Sequence, residues 1–150
     1  MIAALFLPLL LQASTPTEEV ITAVLEAAEQ GGNRDWNCEN PMAQQEMNWC
    51  AGQDLEVAEN EAADQWQDTL AVLKAQDAEE IDSGGFETDV RVFKLMQSQV
   101  GWSTYVDAHC ALEGFAARGG SLEPLLVATC RARLARQRTA ELKSLIETEG

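Results

Sequence analysis

Four cysteines, at positions 38, 50, 110 and 130, limit what this chain of 150 residues can fold into more than any other feature. An even number of cysteines in a small chain reads as two disulfides, provided that the protein leaves the reducing cytosol. Residues Ile2 to Leu11 give the reason to expect export: an apolar run ending in Gln12, Ala13 and Ser14, with a small residue before a cleavage point. The run is too short to span a bilayer, and no cysteine follows it to carry a lipid. No Lys or Arg follows Met1, which is the one missing element of an export signal. Residues 1–13 are therefore expected to be a signal peptide, with no membrane anchor after cleavage. Zinc is the rival use of cysteine, but none of the gaps is a knuckle of two to four residues and the single histidine, His109, adjoins Cys110. No metal site and no cofactor are expected, and an oxidising compartment would pair a would-be catalytic thiol.

The rest of the chain reads as helix. Thr15-Pro16-Thr17-Glu18 is a capping-box pattern, and Val20, Ile21, Val24, Leu25 and Ala28 recur on one face until Gly31-Gly32, giving a first helix over Pro16–Gln30. Residues 14–35 thus form a helix and linker ahead of a domain over 36–147. Asn40-Pro41 opens a second helix to about Ala78, with Ala43, Met47, Ala58, Ala62, Trp66, Leu70 and Leu73 on its apolar face. Ser83-Gly84-Gly85 breaks the chain, and Thr88-Asp89 can cap a third helix to about Ala117, where Gly119-Gly120 stops it. Ser121 can cap a fourth, with Pro124 in its first turn and Leu126/Val127, Cys130, Leu134, Leu142 and Leu145 on its inner face. No strand alternation or internal repeat occurs. The expected fold is all-α: a small disulfide-bonded helical bundle built on a long antiparallel helix hairpin.

That hairpin suggests which cysteines meet. Folding the second and third helices about residue 82 places position 50 roughly opposite 114, within reach of Cys110, and leaves Cys38 and Cys130 near the same end. A Cys38–Cys50 bridge would need the loop to fold back, because the helix from Pro41 to Cys50 alone rises about 13 Å. Three connectivities remain open, and the hairpin favours Cys50–Cys110 with Cys38–Cys130.

Charge is distributed unevenly. The chain carries 25 acids and 10 bases, a net charge of −15, and residues 1–82 hold 17 of the acids against two bases. Such a protein repels phosphate backbones and anionic lipid, so nucleic acid and electrostatic membrane binding are disfavoured and cationic partners favoured. Arg131, Arg133, Arg136, Arg138 and Lys143 make the fourth helix basic, so part of the acidity is expected to be neutralised within the fold.

The segment from Cys38 to Ala51, containing Gln44-Gln45-Glu46-Met47-Asn48-Trp49-Cys50-Ala51, resembles the opening signature of the LprI-like lysozyme-inhibitor family. Ala58 to Trp66, with Asp64, is similar to the family's second run. Gln99 to Cys110, with Trp102, Tyr105 and Asp107, is similar to its third, and Gly119-Gly120-Ser121 followed by Cys130, Leu134, Arg138 and Leu142 to its ending. The resemblance covers about residues 36–142 with all four cysteines in register. Glu59, Ala62-Ala63, Val106 and Ala135 depart from the pattern, which trims a polar network. The resemblance implies an exported helical domain that inhibits lysozyme.

Gln44, Glu46 and Asn48 are read as capping or helix-bridging residues, and Trp66, Trp102 and Tyr105 as core or hairpin contacts rather than a ligand platform. Asp107 with Arg138 can form an ion pair joining the last two helices. No enzyme is expected: the sequence has no nucleophile and base pair, phosphate loop or metal cluster, and its helically spaced carboxylates look like a solvated face. The functional expectation is a periplasmic or secreted protein that blocks a cationic glycoside hydrolase without chemistry, steered by exposed acids such as Glu56, Glu59 and Asp64. The alternative is a non-catalytic helical envelope module, structural or interacting, whose partner is not lysozyme.

Overall fold

The computed structural model describes residues 36–85 and 88–147, together with Thr22, which is helical. The chain divides into two compact units, Met1–Asp35 and Trp36–Gly150. The expected signal peptide and, but for Thr22, the first predicted helix lie outside the described residues. Those residues form three α-helices and no strand: α1 (Gln44–Asp82), α2 (Val90–Gly114), extended by a 3-10 turn (Phe115–Ala117), and α3 (Glu123–Ser144).

The helices alternate in direction. Leu73 of α1 packs with Leu95 of α2, while Asp77 meets Arg91, so these two run antiparallel as the hairpin predicts. On α3, Arg131 meets Asp107 and Arg138 meets Gln99, which makes α2 and α3 antiparallel as well. Consequently α1 and α3 are parallel, tied by Asn48 to Ser121, Glu59 to Arg131 and Thr69 to Leu142. Ala58, Ala132 and Ala135 let α1 and α3 approach closely, and Leu73, Leu95 and Leu142 meet with one residue from each helix. At the other end of the bundle, Val106, Cys110, Cys130 and Leu134 fill the space between α2 and α3. Gly114 sits where these two helices converge, since a Cβ there would lie 2.6 Å from Val127 Cγ2.

The disulfides are Cys38–Cys50 and Cys110–Cys130, which corrects the expected Cys50–Cys110 and Cys38–Cys130 pairs. The register of the first hairpin sets Cys110 beside the level of Ala58, about 12 Å along α1 from Cys50, eight residues at the helical rise. The second hairpin has the same geometry about its own turn and brings Cys110 directly to Cys130. Cys38 reaches Cys50 because the arm does fold back: Trp36 packs edge-on against Trp49 at 5.8 Å between ring centroids. Helix α1 also begins later than expected, at Gln44, so less helix separates its first turn from Cys50.

Tertiary contacts also decide how the helices begin. Glu46 turns its carboxylate back to accept the N–H groups of Met42 (2.7 Å) and Ala43 (3.0 Å), which ends the helix there rather than at Pro41. The N-terminus of α2 is capped not by the side chains of Thr88 or Asp89 but by buried Asp77 of α1, which accepts the N–H groups of Arg91 (3.2 Å) and Val92 (3.0 Å) and an Arg91 guanidinium N–H (3.1 Å). Ser121 does not cap α3; Leu122 occupies that position without a side-chain bond, and the Ser121 carbonyl instead accepts from Asn48. Gly119, at φ 77°, makes the left-handed turn expected after the third helix.

Burial opposes ionisation of Asp77, yet the two backbone donors and Arg91 outweigh it and hold the carboxyl below its ordinary 3.8. The Arg136 hydrogen bond lowers Asp54 similarly, and the Ala43 and Met42 N–H groups lower Glu46. A carboxyl with a depressed folded-state pKa contributes stability that is present above its unfolded pKa and lost as pH falls through the folded one. Urea midpoints are therefore expected to hold steady above about pH 5 and to decline below about pH 4, with a shallower decline in Asp77→Asn. An acid limb as steep in that variant as in the parent would contradict the assignment to Asp77.

Candidate functional site

Helix α1 carries 11 acids and one base, and the fold sorts these acids into two groups. Facing α3, Asp54 takes a two-pronged contact from Arg136, with one prong at 3.0 Å, and Glu59 accepts from Arg131 at 3.4 Å. The Arg131 guanidinium also bonds Asp107 of α2 at 2.9 Å, so one side chain of α3 clasps all three helices. Nothing in its position among basic neighbours along the chain signals this role. Facing outward are Glu56, Glu61, Asp64 and Asp68, all exposed; among the described residues, Glu56, Asp64 and Asp68 make no ion pair. Successive residues turn by about 100°, which places Glu56 between the other two, about 60° from Glu59 and about 80° from Asp64. Of the three acids expected to steer a partner, Glu59 is half-exposed and engaged by Arg131, whereas Glu56 and Asp64 make no ion pair among the described residues.

Beside the clasp, α1 and α2 part enough to leave a groove of about 450 Å³, walled by Trp66 and Trp102 and floored by Leu142 and Arg138. Arg138 is buried, but its partner is not Asp107. Its guanidinium donates to Ser98 Oγ at 2.8 Å and Gln99 Oε1 at 3.3 Å and approaches Glu141 at 3.4 Å. The expected Asp107–Arg138 pair fails on register: Asp107 stands level with Arg131, and Arg138 lies two turns of α3, about 10 Å, farther along. Gln99 and Arg138, read separately in the sequence, thus form one bond across α2 and α3. Trp66 and Trp102 are half-buried and pack against the core clusters as expected. Tyr105 differs, lying exposed and stacked on His109 with ring centroids 5.0 Å apart.

The motif at the start of α1 is structural by its contacts. Gln44 donates to Asn48 Oδ1, Asn48 donates to the Ser121 carbonyl, and Glu46 caps the helix. Together with Cys38–Cys50, these bonds fix the arm and the loop between α2 and α3 against the first turns of α1. Two buried polar residues, Thr69 and Asp77, escaped sequence reading because each looks like one more hydrophilic residue on a polar helix. Their signal was position: both continue the stripe of Trp66, Leu70 and Leu73. Thr69 donates to the Leu142 carbonyl at 3.1 Å.

His109 Nε2 lies 3.0 Å from Glu113 Oε1, which Arg133 also contacts. Among the described residues, the trio His109, Glu113 and Cys130 brings its ligand-type atoms within 4.8 Å of one another. The Cys130 sulfur is committed to Cys110, which leaves two candidate ligands, short of the three or four that a protein metal site supplies. No helix among the described residues is long and apolar enough to cross a membrane.

A family model described as lysozyme inhibitor LprI matches residues 37–142, which takes in all four cysteines and every site residue described above. The chain is similar, at 40% identity over 117 residues, to a protein of Rhizobium meliloti (strain 1021) described as uncharacterized protein R02472, with 75% of this chain and 80% of that one covered. No solved structure matches the chain.

Proposed function

Because the chain belongs to the LprI lysozyme-inhibitor family, we propose that it is an exported, non-catalytic binding protein that inhibits a lysozyme by covering its cleft. The family match over residues 37–142 is the observation that carries this reading. Two disulfides support export to the periplasm or beyond, since such bridges persist in oxidising compartments. The contact face is the outward side of α1, where Glu56, Glu61, Asp64 and Asp68 remain after the arginines of α3 have taken Asp54 and Glu59. An anionic face of this kind raises the encounter rate with a cationic enzyme and enforces its orientation.

A turbidity assay of lysozyme action on bacterial cells, with the disulfide-intact protein at two salt concentrations, tests the proposal. Inhibition is expected at low salt and should weaken as screening shortens the reach of the exposed charges. The double variant Glu56→Lys with Asp64→Lys should bind at least tenfold more weakly, on the order of the 1.4 kcal/mol that corresponds to that factor. Undiminished lysis at large molar excess and low salt overturns the inhibitor reading; inhibition that ignores both salt and the double variant moves the contact face away from α1.

A further inference from the structure

None of Glu56, Glu61, Asp64 and Asp68 lines the groove beside the clasp, whose character is mixed rather than acidic. Trp66 of α1 and Trp102 of α2 each pack against a core cluster, yet both stay half-buried and also wall the groove, with no ring contact between them. Ala62, Ala63 and Ser103 add little volume to the same walls. The charges balance: the lining holds two acids and two bases, and both acids, Glu59 and Asp107, are engaged by Arg131. Hydrogen-bonding capacity is nevertheless left over. Arg138 is only 7% exposed, and its guanidinium donates one N–H from each nitrogen, toward Gln99, Glu141 and Ser98, so two of its five donors are not used. Gln67 on α1 and Ser103 on α2, both exposed, make no side-chain hydrogen bond among the described residues.

We propose that this groove binds a neutral oligosaccharide. Charge narrows the occupant first. An anion would be repelled by a chain of net charge −15 and would lie against two carboxylates, whereas a cation would meet Arg131 and Arg138 with no unengaged carboxylate in the lining to receive it. A neutral ligand avoids both costs. A purely apolar one would seal off the remaining donors of buried Arg138 from water without replacing their partners. A pyranose ring answers each feature in turn: its C–H faces pack on the electron-rich faces of the indoles, and its hydroxyls accept from Arg138 and exchange hydrogen bonds with the Gln67 amide and the Ser103 hydroxyl. Length then argues for linked rings. The lining runs from Arg131 to Arg138 on α3, about 10 Å, and from Met96 to Asp107 on α2, about 16 Å, so the groove is a trough along the bundle, of a volume usual for small-ligand sites. A single flat aromatic ligand, which would also stack on indole, would fill only part of it. The site leaves the outward face of α1 open, so it stands or falls independently of the lysozyme reading.

Isothermal titration calorimetry of the full, disulfide-intact chain with cellotriose and with triacetylchitotriose, in the absence of lysozyme, tests it. At least one of the two trisaccharides is expected to bind with a Kd of about 0.1–1 mM and to shift the tryptophan emission. The affinity should be the same at about 50 mM and about 500 mM salt, because a neutral ligand has no charge to screen. Ala63→Phe, which fills the groove from an exposed position, should weaken binding at least tenfold, and Gln67→Ala about threefold, as the loss of one hydrogen bond implies. Ala108→Phe, exposed on α2 outside the groove, should bind as the parent does, and circular dichroism of all three variants should match that of the parent. No heat or emission change up to about 10 mM of either trisaccharide, binding undiminished in both Ala63→Phe and Gln67→Ala, or tighter binding of adenosine or benzoate than of either trisaccharide would overturn the proposal.

Discussion

Replacing Cys110 and Cys130 together by alanine is expected to destabilise the bundle by about 3 kcal/mol, whereas the same change at Cys38 and Cys50 should leave the bundle's unfolding midpoint close to that of the parent. The two bridges close loops of similar size, with sequence separations of 20 and 12, and the chain-entropy model assigns each about 3 kcal/mol. Their surroundings separate them. Cys110 and Cys130 are both 1% exposed and pack with Val106 and Leu134, so the bundle cannot unfold without releasing that constraint, and the alanines also leave a void. Cys38, by contrast, is exposed and tethers an arm whose next residues, Glu39 and Asn40, are exposed too. With that bridge gone, the arm can detach in a local opening while α1, α2 and α3 stay packed. Thermal melts should therefore show a fall on the order of 10–20 °C for the first pair and a few degrees for the second. Limited proteolysis of the second should give early cleavage within residues 36–43. Equal falls in both variants would mean that the arm is part of the cooperative unit.

Leu142→Ala should be comparably damaging, at about 3 kcal/mol within the 2–5 kcal/mol usual for a buried leucine. Leu142 is 1% exposed and touches Leu73 of α1 and Leu95 of α2, with Trp66, Leu70 and Ile146 around them. The side chain is thus common to all three helices. The site cannot collapse easily after truncation, because a shift of α3 toward the void would strain the Thr69 bond to the Leu142 carbonyl and the Arg138 bonds to Ser98 and Gln99. Leu145, three residues on, is 56% exposed rather than on the inner face where the sequence places it, because the helix ends at Ser144; it supplies the control, since its alanine variant should lie within about 0.5 kcal/mol of the parent. Urea titration separates the two by midpoint at an unchanged slope. A loss below about 1 kcal/mol for Leu142→Ala would show that α3 is not fixed at this level.

The acids show how far a one-dimensional reading reaches. The excess on the first half of the chain and the basic fourth predicted helix are plain in the sequence, and together they indicate internal neutralisation. Which acids are consumed depends on helix azimuth and register. Glu59 turns toward α3 and meets Arg131, while Asp64 points outward, although both are acids of one uninterrupted helix. Asp77 makes the same point more sharply: it is buried, and it caps a helix that begins 13 residues later.

The sequence by itself determined that the described domain is helical, where its two chain reversals fall, that its cysteines are oxidised in pairs, and to which family it belongs. Those features follow from apolar periodicity, from glycines that stop helices and from motif spacing, all of which are local in the chain. Only the tertiary structure decided which cysteine meets which, what holds Arg138, which side chain caps α2 and which acids of α1 the arginines of α3 engage. Each of these depends on a shift of a few residues in register or a fraction of a turn in azimuth between helices far apart in sequence. A packed core fixes such shifts through the fit of side chains such as Leu73, Leu95 and Leu142, and no local pattern encodes that fit.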